Sequence, residues 1–169
     1  MAIMDVVLYP DDPLTQKATP IEDFDQALER LVTDMAETMD TYDGVGLAGP
    51  QVGVSRRLLV MRAPGAEAIT CLINPEIIAS EGAETAEEGC LSLPNLYVEI
   101  SRATRIKVRA QDIHGRQETF EAEDMHARII QHEVDHLGGI VILDRLDFLT
   151  REAKMREWNE IRQHLAAGA

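Results

Sequence analysis

The chain has 169 residues, a usual length for one folded domain with a single substantial core. It carries 16 Lys and Arg against 30 Asp and Glu, and the net charge of -14 argues against DNA binding, because phosphate contacts need clustered basic residues. The sequence has no run of 18 apolar residues, and Asp5 interrupts the short apolar start, so we expect neither a membrane span nor a secretory signal. We therefore expect one domain over residues 1–169, in a cytoplasmic protein with no membrane partner.

The first predicted helix covers roughly residues 24–40 and ends before Gly44. Apolar side chains recur in it at helical spacing, at Leu28, Leu31, Val32, Met35 and Met39. A glycine-rich segment follows, in which Gly44, Gly46 and Gly49 precede Gln51. Taken alone, these glycines fit an ordinary loop as well as they fit a strand edge whose bare backbone accepts a ligand.

The middle of the chain is predicted to be rich in β-strands. Short apolar runs and alternating patterns indicate strands at residues 58–61, 71–73, 106–110 and 117–122, with a turn at residues 112–115. Two cysteines give no disulfide framework. Cys71 lies in an apolar run and is interpreted as a buried strand residue, neither a metal ligand nor a partner for Cys90.

The next predicted helix carries a His-Glu-x-x-His pattern at His132, Glu133 and His136. At helical pitch the two histidines lie on one face about one turn apart, so both imidazoles can reach one cation while Glu133 faces its water. The helix is supported by apolar spacing at Met125, Ile129, Ile130, Val134 and Leu137, with Asp124 as a candidate N-cap. The pattern predicts a metal-dependent hydrolase, against the alternative of an exposed helix that happens to carry two histidines.

The third ligand decides the class of metal site. The position six residues after His136 is Ile142, which excludes a metzincin-type third histidine. Glu157 or Glu160 could complete a thermolysin-like site by distance along the chain alone. Both lie on the charged face of a predicted C-terminal helix over residues 150–165, which favours a solvated helix.

Cys90 is the remaining candidate for the third ligand. It lies in the segment Glu87-Glu88-Gly89-Cys90-Leu91-Ser92. A thiolate with two imidazoles and one open position is a catalytic coordination set, whereas structural sites are closed.

Three segments of the chain resemble the signature motifs of the peptide deformylase family, in the family's order. They are Gly44-Val45-Gly46-Leu47-Ala48-Gly49-Pro50-Gln51, Glu88-Gly89-Cys90-Leu91-Ser92 and Gln131-His132-Glu133-Val134-Asp135-His136-Leu137. The resemblance implies an α+β fold with mostly antiparallel sheets around a central metal-binding helix, an N-terminal helix and a C-terminal helix. It also implies removal of the N-formyl group from the N-terminal methionine of newly synthesised proteins.

The resemblance assigns roles to the motif residues. Cys90, His132 and His136 would bind the metal, and Glu133 would act as the general base and acid. The backbone N–H of Leu91 and the side chain of Gln51 would stabilise the oxyanion. Substrate contacts are expected from Val45, Gly46, Gly89, Tyr97, Met125 and Ile129.

The same resemblance implies a cofactor and partners. Fe(II) is expected in the cell, with Zn, Ni or Co as substitutes. The partners would be N-formylmethionyl nascent peptides and the exit region of the ribosome, reached through the C-terminal helix, and the protein would be a monomer.

The chain departs from the family pattern in three places, one of which is Asp124-Met125-His126 in place of a typically small and apolar run. Tyr97 stands where bacterial deformylases usually carry an Arg that helps to hold the substrate peptide, and Gly49 stands where Ala is common. Two alternatives therefore stay open: a related enzyme acting on another N-acyl peptide or amide, supported by Tyr97, and a catalytically weak metal-binding paralogue. Glu133 argues against the paralogue, because a purely structural metal site needs ligands but no base.

Overall fold

The computed structural model describes residues 2–168 of the chain. Its helices are α1 (Gln26–Thr41), α2 (Asp124–Leu137) and α3 (Phe148–Ala167). Its strands are β1 (Gly46–Ala48), β2 (Leu58–Met61), β3 (Thr70–Glu81), β4 (Glu84–Cys90), β5 (Leu93–Arg102), β6 (Arg105–Gln111) and β7 (Gln117–Glu123). Single 3₁₀ turns cover Gly49–Val52 and Ile142–Arg145.

The strands form two separate antiparallel sheets. The larger has the order β1-β2-β3-β6-β7, and the smaller is the β4–β5 hairpin. Strand β1 lies at the edge of the larger sheet, because it pairs only with β2. The predicted α+β fold, with antiparallel sheets and one helix at each end of the chain, is confirmed.

The N-terminal helix forms where the apolar spacing predicts it, within two residues at its start and one at its end. The side chain of Asp25 caps it by accepting a hydrogen bond from the Leu28 N–H at 3.0 Å. The buried face of α1 consists of Leu28, Met35, Thr38 and Met39. These side chains pack against β2 and so hold the following glycine segment beside the sheet.

Helix α2 and the β4–β5 hairpin belong to two further apolar clusters. The first joins α2 to the larger sheet and includes Ala127, Ile129, Ile130 and Leu137 with Leu59, Leu72, Ile106 and Val108. The second joins the β4–β5 hairpin to α3 and includes Leu93, Leu96, Val98 and Ile100 with Leu143 and Trp158. The hairpin and α2 therefore belong to different cores.

The structure corrects several local predictions. Strand β3 has 12 residues, of which only residues 71–73 were predicted, and the β4–β5 hairpin was not predicted at all. Asp124 is not the N-cap of α2: the N-cap is Glu123, whose side chain makes no capping hydrogen bond. Met125, expected on the apolar face, is 54% exposed.

The C-terminal helix starts two residues earlier than predicted. Asp147 is its N-cap and accepts a hydrogen bond from the Thr150 N–H at 2.9 Å, while Trp158 is its buried anchor. Within the described part of the chain, none of the helices has the length and apolar character needed to span a bilayer.

Candidate metal centre

Three candidate metal ligands meet where the end of β4 approaches α2. Cys90 is the last residue of β4, and His132 and His136 lie one turn apart on α2. One ligand atom from each lies within 4.8 Å of the others, and Cys90 Sγ is 3.4 Å from His136 Nε2. A tetrahedral site with metal–ligand distances of roughly 2.0–2.3 Å places its ligand atoms about 3.3–3.8 Å apart. The three side chains therefore fit a divalent cation and leave its fourth position open.

The other candidate ligands lie elsewhere. Within residues 2–168, the three side chains above are the one group of His, Cys, Asp or Glu with the spacing of a metal site. Glu157 and Glu160 are exposed on α3 and are not part of it. The geometry therefore gives the thermolysin-like alternative no support.

Glu88 on β4 lies directly behind His132, with its Oε1 2.9 Å from the ring nitrogen Nδ1. Burial alone would raise the pKa of Glu88, but hydrogen bonds from Arg102 and His132 outweigh burial and hold that pKa well below its usual range. An ionised carboxylate only accepts, so His132 donates through Nδ1 and presents the lone pair of Nε2 to a cation. This contact fixes the tautomer and the ring orientation of His132.

Glu88 belongs to a network of charges that the sequence analysis did not identify. The network is buried except at Arg145, whose side chain is 45% exposed. Arg102 donates two hydrogen bonds to Glu88, both at 2.9 Å, and a third to Asp135 at 2.6 Å. Arg128 donates to the same Glu88 carboxylate at 2.6 Å. Arg145 donates to Asp135 through two nitrogens, at 2.5 and 3.0 Å. Each charge has an opposite charge within hydrogen-bond distance, which is the condition for keeping such groups buried.

Two signals in the sequence point to this network. Arg102 falls in phase with Val98 and Ile100, the buried positions of a strand whose intervening residues are exposed. A charged residue at a core-facing position of an alternating strand needs a buried partner. Arg128 precedes His132 by four residues, so it shares the ligand face of α2.

Glu133 lies in the same site with one carboxylate oxygen unused. Its side chain is buried, and Oε1 has no hydrogen-bond partner within residues 2–168. Burial raises the pKa of Glu133 to about 7, although the neighbouring His132 opposes the shift. The absence of a side chain at Gly46 leaves room for the Glu133 carboxylate. A Cβ at that position would lie 2.5 Å from Glu133 Oε2, which is too close for a normal contact. A carboxylate with a pKa near neutrality can both accept and deliver a proton.

Gln51 and Leu91 lie on either side of Cys90. The Gln51 carbonyl Oε1 accepts a hydrogen bond from the Ala48 N–H at 2.9 Å, which fixes the side-chain amide. Its Nε2 then faces Cys90 Sγ at 3.5 Å and Ser92 Oγ at 3.3 Å. Leu91 follows Cys90 in the turn between β4 and β5, and its N–H donates no hydrogen bond within the described chain. The site thus offers two N–H donors beside the candidate metal ligands.

A cavity of about 470 Å³ opens in front of these groups. All six residues expected to contact substrate line it: Val45, Gly46, Gly89, Tyr97, Met125 and Ile129. Val45, Tyr97 and Met125 are 57%, 54% and 54% exposed and form its rim, whereas Ile129 is buried. Gly89 lies under the Tyr97 ring, since a Cβ there would be 3.0 Å from Tyr97 Cε1. The volume is within the range of small-ligand sites.

Comparison with known sequences agrees with this geometry. The family model for polypeptide deformylases matches residues 3–152. A peptide deformylase of Alkalilimnicola ehrlichii is 45% identical over 163 residues, which cover 95% of this chain and 92% of that protein. A peptide deformylase of Thermotoga neapolitana is 49% identical over 142 residues, which cover 83% and 85% of the two chains.

Comparison with solved structures extends the likeness to the whole fold. The crystal structure of a peptide deformylase from Legionella pneumophila has a TM-score of 0.91 and 38% identity, over 98% of both chains. That of the peptide deformylase from Thermus thermophilus has a TM-score of 0.90 and 42% identity, over 99% of both chains. Together with the sequence matches, these likenesses mean that the chain belongs to the peptide deformylase family.

Proposed function

We propose that Cys90, His132 and His136 form the metal centre with which this deformylase removes the formyl group from the N-terminal methionine of new proteins. The reaction hydrolyses the formyl amide: water adds to the carbonyl carbon, the C–N bond breaks, and formate and a free amine leave. One observation carries the proposal. A set of three side chains with metal-ligand spacing shares its site with a buried carboxylate, Glu133, whose Oε1 is not engaged by the protein.

The three ligands would hold a divalent cation, and the chain offers it a thiolate and two imidazoles. When bound, such a cation supplies Lewis-acid chemistry and lowers the pKa of a coordinated water toward neutrality. We propose Fe(II) as the cation in the cell, on the ground of the family resemblance. A thiolate with two imidazoles also suits Zn, Ni or Co, which we propose as substitutes.

Glu133 moves the protons in this proposal. Its Oε1 accepts a proton from the attacking water, and the same carboxyl later delivers a proton to the departing nitrogen. Burial raises the pKa of Glu133 above its usual range, and this makes the carboxyl a better proton acceptor in the first step.

Gln51 Nε2 and the Leu91 N–H stabilise the negative charge that develops on the formyl oxygen. Both donors are held in place before the reaction, Gln51 by its bond to Ala48 and Leu91 by the tight β4–β5 turn. Donors fixed in advance cost no reorganisation as charge develops, which makes them more effective than water.

The substrate peptide pairs with the edge of β1 in this proposal. An extended peptide can add to an edge strand through main-chain hydrogen bonds, and Gly46 places bare backbone at that edge beside Glu133. Ile129 forms the buried wall for the methionine side chain, and Val45, Met125 and Tyr97 contact the peptide at the rim.

We also propose that the protein acts as a cytoplasmic monomer and meets nascent chains near the ribosome exit through α3. Between Phe148 and Ala167 this helix has four Lys and Arg against three Glu, in a chain of net charge -14. Because α3 lacks the net negative charge of the rest of the chain, it can approach a phosphate-rich partner with less repulsion. Co-sedimentation with ribosomes tests the contact, and a double substitution of Arg156 and Arg162 to Glu should weaken it.

A second candidate function rests on Tyr97. Its exposed ring at the cavity rim offers an aromatic surface and a single O–H donor where the family usually has a guanidinium. Such a rim would also suit another N-acyl peptide or amide with an apolar group.

Hydrolysis of a formyl-Met-Ala-Ser peptide, compared with the acetylated peptide, tests the main proposal. The iron-loaded protein is handled without oxygen, because thiolate ligands and Fe(II) oxidise. We expect turnover of the formyl peptide alone, lost in Glu133→Gln with the metal retained. Faster hydrolysis of the acetyl peptide or of an aryl amide would favour the second candidate.

A further inference from the structure

The candidate metal ligands are supplied by two parts of the molecule that do not share an apolar core. His132 and His136 lie on α2, whose apolar face packs against the larger sheet. Cys90 lies on the β4–β5 hairpin, whose apolar face packs against α3. Their relative positions must therefore be fixed by contacts other than the packing within either core.

Arg102 joins the two parts directly. It is the last residue of β5, only 6% exposed, and its guanidinium binds acids on both sides. Nε and Nη2 donate to Glu88 on the hairpin, and Nη1 donates to Asp135 on α2. A planar guanidinium holds three such bonds in one fixed geometry.

Each acid that Arg102 binds is adjacent to a ligand. Glu88 lies 2.9 Å from the ring of His132, and Asp135 directly precedes His136 in the chain. Glu88 is also two residues from Cys90 on the same strand. One side chain is thus connected to all three candidate ligands.

Arg128 also crosses between the two parts but has different partners. It donates to the backbone carbonyls of Glu84 and Ile100 at 2.6 and 3.0 Å, besides its bond to Glu88. Backbone contacts hold the hairpin as a whole, whereas the acids bound by Arg102 lie beside the ligands.

We propose that Arg102 is a positioning residue that sets the distance between Cys90 on the hairpin and His132 and His136 on α2, and so determines the metal affinity of the site. This inference rests on the proposed metal centre. A residue that orients the ligands without binding the metal typically changes metal affinity by about 10–100-fold when it is removed.

The test measures metal binding in place of turnover. The affinities of Arg102→Met, Arg102→Lys and the parent for Zn(II) and Co(II) are compared by chelator competition. We expect Arg102→Met to bind about 10–100-fold more weakly, with a reduced thiolate-to-cobalt absorption band, because Cys90 no longer lies at ligand distance. Arg102→Lys should recover part of the loss, since an ammonium keeps the charge but not the three-bond fork.

Arg109→Met is the matched control. Arg109 pairs with Glu76 on the exposed face of the larger sheet, so its loss removes an Arg–Glu pair that is not part of the network around the candidate ligands. Its metal affinity should stay within about twofold of the parent, as expected for an exposed pair of small energetic value.

Asp135→Asn provides a second route to the same contact. If Arg102 acts through Asp135, the double variant Arg102→Met with Asp135→Asn should lose less affinity than the sum of the single losses. Should Arg102→Met fail to fold, Arg102→Lys and Asp135→Asn carry the comparison. The inference would be overturned if the folded variants kept the metal affinity and the cobalt spectrum of the parent and lost equal thermal stability in the metal-free and metal-loaded forms. That result would not affect the proposed function, which the peptide assay tests separately.

Discussion

Behind the candidate ligands, the Glu88 carboxylate accepts four hydrogen bonds, two from Arg102 and one each from Arg128 and His132. In front of them, the Oε1 atom of Glu133 has no partner within residues 2–168. Two carboxylates, 45 residues apart in the chain and both close to His132, thus have opposite surroundings. Their pKa values shift in opposite directions, that of Glu88 downward and that of Glu133 to about 7.

The difference separates the carboxylate that orients the metal ligands from the carboxylate that exchanges protons. A carboxylate saturated with donors stays ionised and can only orient its neighbours. A carboxylate left without donors in a buried place keeps its capacity to exchange a proton. Substitutions at Glu133 or beside it should therefore change turnover with the metal retained. Substitutions at the ligands should change metal binding.

The largest expected effect is at Glu133. Glu133→Gln keeps the size of the side chain but removes the proton acceptor, so kcat should fall by about 10²–10⁴-fold. Metal content, measured by mass spectrometry on the same samples, should stay stoichiometric. Loss of metal from this variant would mean that Glu133 is a metal ligand. Glu88 and Glu133 would then no longer have separate roles.

The second effect is at Cys90. Cys90→Ser offers a harder and far less acidic ligand, so metal affinity should fall by more than the roughly 100-fold expected for a residue that only orients a ligand. Glu157→Ala, a substitution on the exposed face of α3, is the matched control. If the control lost metal while Cys90→Ser kept it, a thermolysin-like site would be indicated.

The third effect is at Gly46. Gly46→Ala brings a methyl group to 2.5 Å from Glu133 Oε2, so the carboxylate must move. A displacement of about 1 Å near the reacting groups can cost on the order of 10²-fold in rate. We expect kcat to fall by that amount with metal affinity unchanged. Gly168→Ala is the control for substitution itself, because φ there is -86° and a Cβ would meet no atom closer than 3.4 Å.

The smallest effect is at Tyr97, on the rim. Tyr97→Arg restores the family's usual residue, and a guanidinium can donate several hydrogen bonds to peptide carbonyls at once. We expect kcat/KM on formyl-Met peptides to rise by up to about tenfold, mainly through KM, because the contact is remote from the reacting carbonyl. A fall in kcat/KM with fold and metal intact would mean that Tyr97 itself binds the substrate, and the substrate class would then need revision.

The parts of the site that the sequence could predict are those encoded by short spacing. The face shared by His132 and His136 follows from helical pitch, and Glu133 from its place beside the first of them. Cys90 was only a candidate until the family motifs were considered, because nothing local links β4 to a helix more than 30 residues later. Their assigned roles stay predictions, although the structure brings the side chains together.

The parts that could not be predicted depend on long-range pairing. Strand β4 is rich in Glu, which is depleted in strands, and it is stabilised by its pairing with β5. The partners of Arg102 lie 14 and 33 residues away in the chain, so its buried position could be suspected from the alternation of β5 but its contacts could not be named. Asp124 was misassigned because an acidic residue before an amphipathic helix usually is the cap.

The division of the ligands between two cores also links folding to the supply of metal. A cation bound by Cys90 on one side and by His132 and His136 on the other would act as a cross-link between the hairpin and α2, and the three ligands have the spacing of a metal site only in the folded chain. At a free metal concentration of about 100 times Kd, linkage adds about 2.7 kcal/mol to the free energy of unfolding. The thermal midpoint of the protein should therefore rise with the concentration of free metal, and a shortage of metal would lower its stability as well as its activity.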